Sequence, residues 1–322
     1  MSLLADVVTI LLNGLQQGAI YVLLAVGLSI ILGTLKFVNF AHGALYVIGT
    51  YAGLFVALEV NLTSGKLSEW GYSTLGLEWG FLAALILVPL IVFCVGLLME
   101  RYVARSFYDR PDTDQILVTF GLAIVLQELF RVLFGSNSLP FEQPARILSF
   151  AGFAGIPVSG PVALPIVGNF PRWRLWVIAI TAVLVAIVYA LVEYTDFGLV
   201  VRAGTRDAEM VRLLGIKISR PYLVVFGIGS ALAGVAGVVG GPLNVVNPTV
   251  GMDILVPAFL TVVIGGVGSI AGAVVGGVLF GLTTAVLVAF VPAWSQVGLY
   301  AIAAIVLLTR PQGILGNEEV AP

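Results

Sequence analysis

Apolar residues run along this chain in long, nearly unbroken stretches rather than in alternation. The runs fall near 7–33, 37–58, 79–99, 116–134, 175–192, 222–243, 254–268, 270–291 and 297–309. Repeatedly they reach the roughly 20 residues a helix needs to cross a bilayer. In lipid such runs must be helical, because every backbone N–H and C=O needs a partner within the segment. The pattern predicts an all-α polytopic membrane protein with about nine transmembrane helices. Run 254–268 is short and is the weak point of that count. It begins after Asn247-Pro248 and Gly251 and ends in Gly265-Gly266-Val267-Gly268, the signature of a half-helix entering a protein-lined cavity. If it does not cross, the count is eight and the C-terminal orientation flips.

Composition agrees with this reading. Hydrophobic residues make up 60% of the 322 and charged residues 10%, against roughly a quarter charged in soluble domains; mean hydropathy is +1.10. The net charge of -2 gives no reason to expect nucleic acid, and Cys94, alone in an apolar run, excludes a disulfide framework. The first run is too long for a cleaved leader, so 7–33 is expected to be the first retained span of a single transmembrane domain over 1–322. Orientation follows the basic residues. Lys36, Arg101, Arg105, Arg110, Arg310 and five basic residues in 197–221 fall on one side if all nine runs cross. That side is expected to be the cytoplasm, with the loop 193–221 and the C-terminus inside and the N-terminus outside. Arg172 and Arg174 flank a span on the other side, against the bias.

The segment Phe197–Pro221 carries Arg202, Arg206, Arg212, Lys217 and Arg220, a third of the chain's 15 Lys and Arg. Within it, Asp207–Leu214 sets charges against Met210, Val211, Leu213 and Leu214 and stops at Gly215, as helices often do. A short amphipathic helix between spans either lies on the membrane surface or docks into a groove on another protein. On the other side, 59–78 and 135–174 are too long for tight turns, and six prolines from Pro140 to Pro171 make the second largely non-helical. These read as partner-docking surfaces or as loops packed on the bundle mouth. Small residues recur at four-residue spacing in Ala233, Gly237, Gly241 and in Ser269, Ala273, Gly277, Gly281, with Gly268, Gly272 and Gly276 alongside. That spacing permits close helix approach, within one subunit or between two. Runs 7–33 and 222–243 have opposite directions and similar punctuation after them, which suggests an inverted repeat.

Polar residues inside spans are costly and tend to mark pathways. Asn13, Gln16 and Gln17 share one helical face, and their amides both donate and accept, which suits a zwitterionic or amide solute, or bonds to neighbouring helices. Asn39 and His42 lie in the polar-aromatic break Lys36–Gly43, and Asn247 in the later break, completing the candidate solute pathway. His42, the single histidine, reads as a structural hydrogen-bonding group or a proton relay. Glu128 and Arg131, three apart, are expected to form a structural ion pair. Asp253 is expected to cap the helix that follows it, or to face the outer cavity. No nucleotide-binding P-loop is present, no His/Cys/carboxylate cluster has metal spacing, and no span carries a ladder of acidic residues. No catalytic residue is expected, and uphill transport needs energy from elsewhere.

Several stretches together resemble the permeases of branched-chain amino acid ABC importers, over nearly the whole chain and in order. They are Asn13-Gly-Leu-Gln-Gln-Gly18, Ala25-Val-Gly27, Asn39-Phe-Ala-His-Gly43, Arg202-Ala-Gly with Leu214-Gly-Ile216, Asn247-Pro248, Val263–Ile270 and Arg310–Gly316. The resemblance implies a type II-like permease paired with a second, homologous permease, two cytoplasmic ATPases and an extracytoplasmic solute-binding protein. ATP and Mg would be bound by the ATPases and no cofactor by this chain. Segment 198–220 would then be the coupling loop, with Arg206, Asp207, Glu209, Met210, Arg212, Leu213 and Gly215 meeting the ATPase. Glu209 followed by Gly215 partly matches the importer signature of Glu, two alanines and Gly, since Met210 and Val211 replace the alanines. Relatives of that family also move urea, short amides and other amino acids, so the solute stays open here. A standalone carrier or channel, with Arg202–Arg220 lying on anionic lipid, is the reading from a different class.

Overall fold

The computed structural model describes residues 3–147, 155–206, 208–310 and 312–316. The helices are α1 (Leu3–Leu35), α2 (His42–Ala57), α3 (Lys66–Glu69), α4 (Gly80–Tyr102), α5 (Asp112–Phe134), α6 (Arg172–Tyr194), α7 (Asp196–Arg206), α8 (Ala208–Leu213), α9 (Ser219–Gly240), α10 (Val250–Gly265), α11 (Ile270–Phe290) and α12 (Ser295–Thr309). Three two-stranded hairpins decorate the loops: β1 (Val60–Asn61) with β2 (Thr74–Leu75), β3 (Arg146–Ile147) with β4 (Ile156–Pro157), and β5 (Pro161–Leu164) with β6 (Gly168–Pro171). The latter two account for the described part of the proline-rich segment, which is non-helical as its composition requires.

Among the described residues, seven helical stretches are long and apolar enough to cross a membrane, while α2 and α10 have 16 residues each. At 1.5 Å per residue, 16 residues reach about 24 Å, short of the ~30 Å hydrocarbon core. Of the run 37–58 only His42–Ala57 is helical; the run nonetheless leads from Tyr108 and Gln115, beyond the C-terminal end of α4, to Leu77 and Trp79 ahead of its start, as a non-helical break followed by a short helix. Lys36, at φ +49°, ends α1 in the left-handed region. The chain then folds back without helix, until the His42 ring stands 3.3 Å from where a Cβ on Gly27 of α1 would be.

α1 and α9 form the buried axis of the bundle. They are antiparallel, since Ile20 meets Gly240 while Ile31 meets Gly229. Their glycines are reciprocal. A Cβ on Gly27 would lie 2.6 Å from the Gly229 carbonyl oxygen, and one on Gly229 would lie 2.7 Å from that of Gly27. The same exchange joins the short helices, where Gly43 and Gly251 each face the other's carbonyl. Around this crossing the packing is swapped: α1 carries α10 and α11, and α9 carries α2 and α4. The equal lengths of α2 and α10, the reciprocal glycines and the exchanged neighbours fit an inverted repeat with α1–α2–α4–α5 and α9–α10–α11–α12 as its halves. The small-residue stripes do their packing within the chain: Gly237 against Tyr46 and Thr50, Gly277 and Gly281 against α1, and Gly272 and Gly276 against α10.

Candidate functional site

The two short helices meet at their N-termini in the middle of the bundle, and each is prepared by an asparagine three residues ahead. Asn247 Oδ1 accepts from the backbone N–H of Thr249 (3.0 Å) and Val250 (2.9 Å) and from the Thr249 hydroxyl (2.8 Å). It thus satisfies orphan donors at the start of α10. The cap expected of Asp253 is made by Asn247, because Asp253 lies in the first turn and is exposed. Asn39 Oδ1 accepts from Ala41 N–H at 3.1 Å ahead of α2. Beyond that bond the first half differs. Asn39, His42 and Tyr46 are all buried. Asn39 Nδ2, both His42 ring nitrogens and the Tyr46 hydroxyl have no partner with hydrogen-bond geometry. His42 approaches the Leu24 backbone.

The break before α2 is held from outside by α5. Gln115 Oε1 accepts from Val38 N–H (2.9 Å), while its amide donates to the carbonyls of Phe107 (3.2 Å) and Arg110 (3.1 Å). Thr119 Oγ1 accepts from Phe40 N–H at 3.0 Å. Just below, Glu100 is buried at the end of α4, gripped by Arg105 through Nε (3.2 Å) and Nη2 (3.0 Å) and by the Tyr108 hydroxyl (3.1 Å). Burial, then the Glu100 carboxylate, holds the Tyr108 phenol protonated well above its usual range. Tyr108 stacks edge-on with Phe37 in the break, at 5.7 Å. Gln115 and Glu100 stand near helix ends, where polar residues carry little cost and so no signal, and Thr119 inside α5 meets its own need by donating to the Gln115 carbonyl at 2.7 Å.

The amide face of α1 lies elsewhere, toward the helix start. Asn13 Oδ1 accepts from Arg174 of α6, Gln16 is buried, and Gln17 stands one turn before Tyr21. Asn13, Gln16 and Gln17 lie toward the start of α1, while the fold-back sets His42 beside Leu24 and Gly27, about 10–15 Å past Gln17 along the helix axis; Asn39 and Asn247 stand ahead of the two short helices. Glu128 and Arg131 pair at 2.8 Å on α5, both about half exposed. Among the described residues, no cluster of three or more His, Cys, Asp or Glu could hold a metal.

At the face where α1 ends, α7 and α8 join α6 to α9. Thr195 Oγ1 accepts from Gly198 N–H at 3.2 Å, starting α7. Arg202 then reaches back to Glu193 (2.6 Å) and to the Val192 carbonyl (2.8 Å), covering the last turn of α6. Tyr222 of α9 donates to the Gly204 carbonyl at 3.2 Å. α8 ends at Gly215, φ +80°, with Ile216 N–H bonded back to the Val211 carbonyl at 3.3 Å, the helix stop the sequence predicts. Val211 is buried, whereas Met210 (54%), Leu213 (76%) and Leu214 (72%) are exposed. Asp207 lies outside the described residues, as do the side chains of Arg206, Glu209 and Arg212.

A family model described as the branched-chain amino acid transport system permease component matches residues 10–308. The chain is 30% identical to the high-affinity branched-chain amino acid transport system permease protein LivH of Escherichia coli over 310 residues, 96% of this chain and 95% of that protein. LivH of Salmonella typhimurium gives the same figures. The corresponding permease protein BraD of Pseudomonas aeruginosa is 30% identical over 312 residues, 96% of each chain. No solved structure matches it.

Proposed function

The chain belongs to the family of branched-chain amino acid transport system permease components, and from that premise we propose that it is the membrane subunit of an ATP-driven importer carrying leucine, isoleucine and valine inward. The solute follows from the names of the relatives. ATP and Mg bind two partner ATPases, and this chain hydrolyses nothing. A second, homologous permease completes the passage, and an extracytoplasmic binding protein delivers the solute. Segment 193–221 and the C-terminus lie in the cytoplasm, as the distribution of Lys and Arg supports.

One observation carries the reading. α8 and the turn after it present Met210, Leu213 and Leu214 outward from a segment anchored to α6 by Arg202 and to α9 by Tyr222. An apolar ridge fixed to two spans is a lever that a soluble motor can grip. Arg206, Asp207, Glu209, Met210, Arg212, Leu213 and Gly215 form that grip in this proposal, and alternation of the passage between outward and inward states follows its movement. The test is Glu209→Arg combined with Leu213→Asp in the full complex. The expected outcome is loss of ATPase co-purification and of ATP-dependent leucine uptake into vesicles, with an unchanged elution profile of the permease. Retention of the ATPase by the double variant would overturn the docking role.

A further inference from the structure

The helices that show most of their surface are α4, α5, α6, α11 and α12. Among the described residues, charges on α4, α6, α11 and α12 are confined to the terminal turns. Their outward stripes, such as Val183 and Ile187 of α6, carry no charge outside those turns and suit hydrocarbon. α5 breaks this rule. Glu128 stands six residues before its end, about 9 Å in along the axis, and its carboxylate pairs with Arg131 on a face where both side chains are about half exposed. Ionisable groups at such depth face protein or water, not lipid tails.

We infer that this face of α5 is the seam against the second permease of the complex. The inference rests on the proposed pairing of two permeases and specifies where they meet. The stripe runs from Leu117 through Gly121 and Val125 to Glu128 and Val132, about 22 Å along the helix. It lies within the membrane-spanning length of α5, so its occupant must itself be embedded in the bilayer; a soluble ATPase or binding protein cannot cover it. Gly121 has open space where its Cβ would be, so a partner helix can approach closely there. The reverse edge of α5 supports the same placement. Gln127 and Phe130 line a crevice with Pro248, Gly251 and Met252, beside the crossing of the short helices, so a seam on α5 puts the junction of the two chains next to that crossing.

The experiment places the photoreactive residue p-benzoylphenylalanine at Val125, and separately at Ile187 of α6, in the full complex in native membranes. The seam predicts a covalent adduct from position 125 with the mass of this chain plus the second permease, and none from position 187. Lipid adducts alone from position 125, or the reverse pattern, would overturn it. An adduct of twice this chain's mass would also overturn it, by assigning the face to a second copy. Co-purification of the second permease with the unsubstituted chain is read in parallel. Its failure removes the pairing itself, whereas its success without the adduct removes only the seam.

Discussion

α2 and α10 have the same length, the same asparagine ahead of them and the same glycine at their crossing, yet they are built into the bundle differently. α10 has its start capped locally by Asn247 and its end by the tail, where Ile314 and Leu315 donate to the carbonyls of Ile264 and Gly265. α2 depends on a neighbour. Its approach is held by Gln115 and Thr119 of α5, and it carries buried polar groups, Asn39, His42 and Tyr46, where the other half has Asn247, Val250 and Ile254. A two-fold plan therefore fixes the shape of both halves while leaving chemistry free to concentrate in one.

Three measurements test this contrast. The largest effect belongs to the shared crossing. Gly43→Leu and Gly251→Leu each force side chain into the opposing backbone, so each should cost 3 kcal/mol or more, roughly the upper end for overpacking. Thermal unfolding of the purified protein in detergent should place both far below the parent and close to each other. Tolerance of one alone would show that the crossing is not shared equally. Next comes Gln115→Ala, which orphans the Val38 N–H and removes the side-chain donor to the Phe107 and Arg110 carbonyls, and should cost about 2–3 kcal/mol by the same assay. It should also raise amide exchange in 36–41 while leaving 244–250 protected. Smallest is Asn247→Ala, expected to cost about 1 kcal/mol as the loss of one cap, with exchange confined to the first turn of α10. A larger loss than that of Gln115→Ala would reverse the proposed order of dependence.

Much of the architecture was legible in the hydropathy pattern, since lipid leaves helices as the solution for each long run. Run 254–268 advertised its shortness through Pro248 and Gly251. Run 37–58 did not, because Phe37, Val38, Phe40 and Ala41 are apolar although they precede the helix. They fill the core of the break, and a count of greasy residues cannot separate them from α2. The ion pair of Glu128 and Arg131 was readable from its three-residue spacing. The partner of Asn13 was not, because Arg174 stands 161 residues away and its position against the charge bias looked only like an exception. The grip of Gln115 on Val38 was hidden for the same reason, as long-range pairing leaves no local trace.

The dependence of α2 on α9 also bears on how the chain is made. Gly49 and Gly53 of α2 lie on Gly234 and Val238, residues synthesised almost two hundred positions later. α2 also packs on α4, made earlier, but its glycine face stays uncovered, and the amino-terminal half incomplete, until α9 emerges. Ribosome stalling before residue 219 should trap it in that state, which makes the nascent first half the natural client of a membrane insertase.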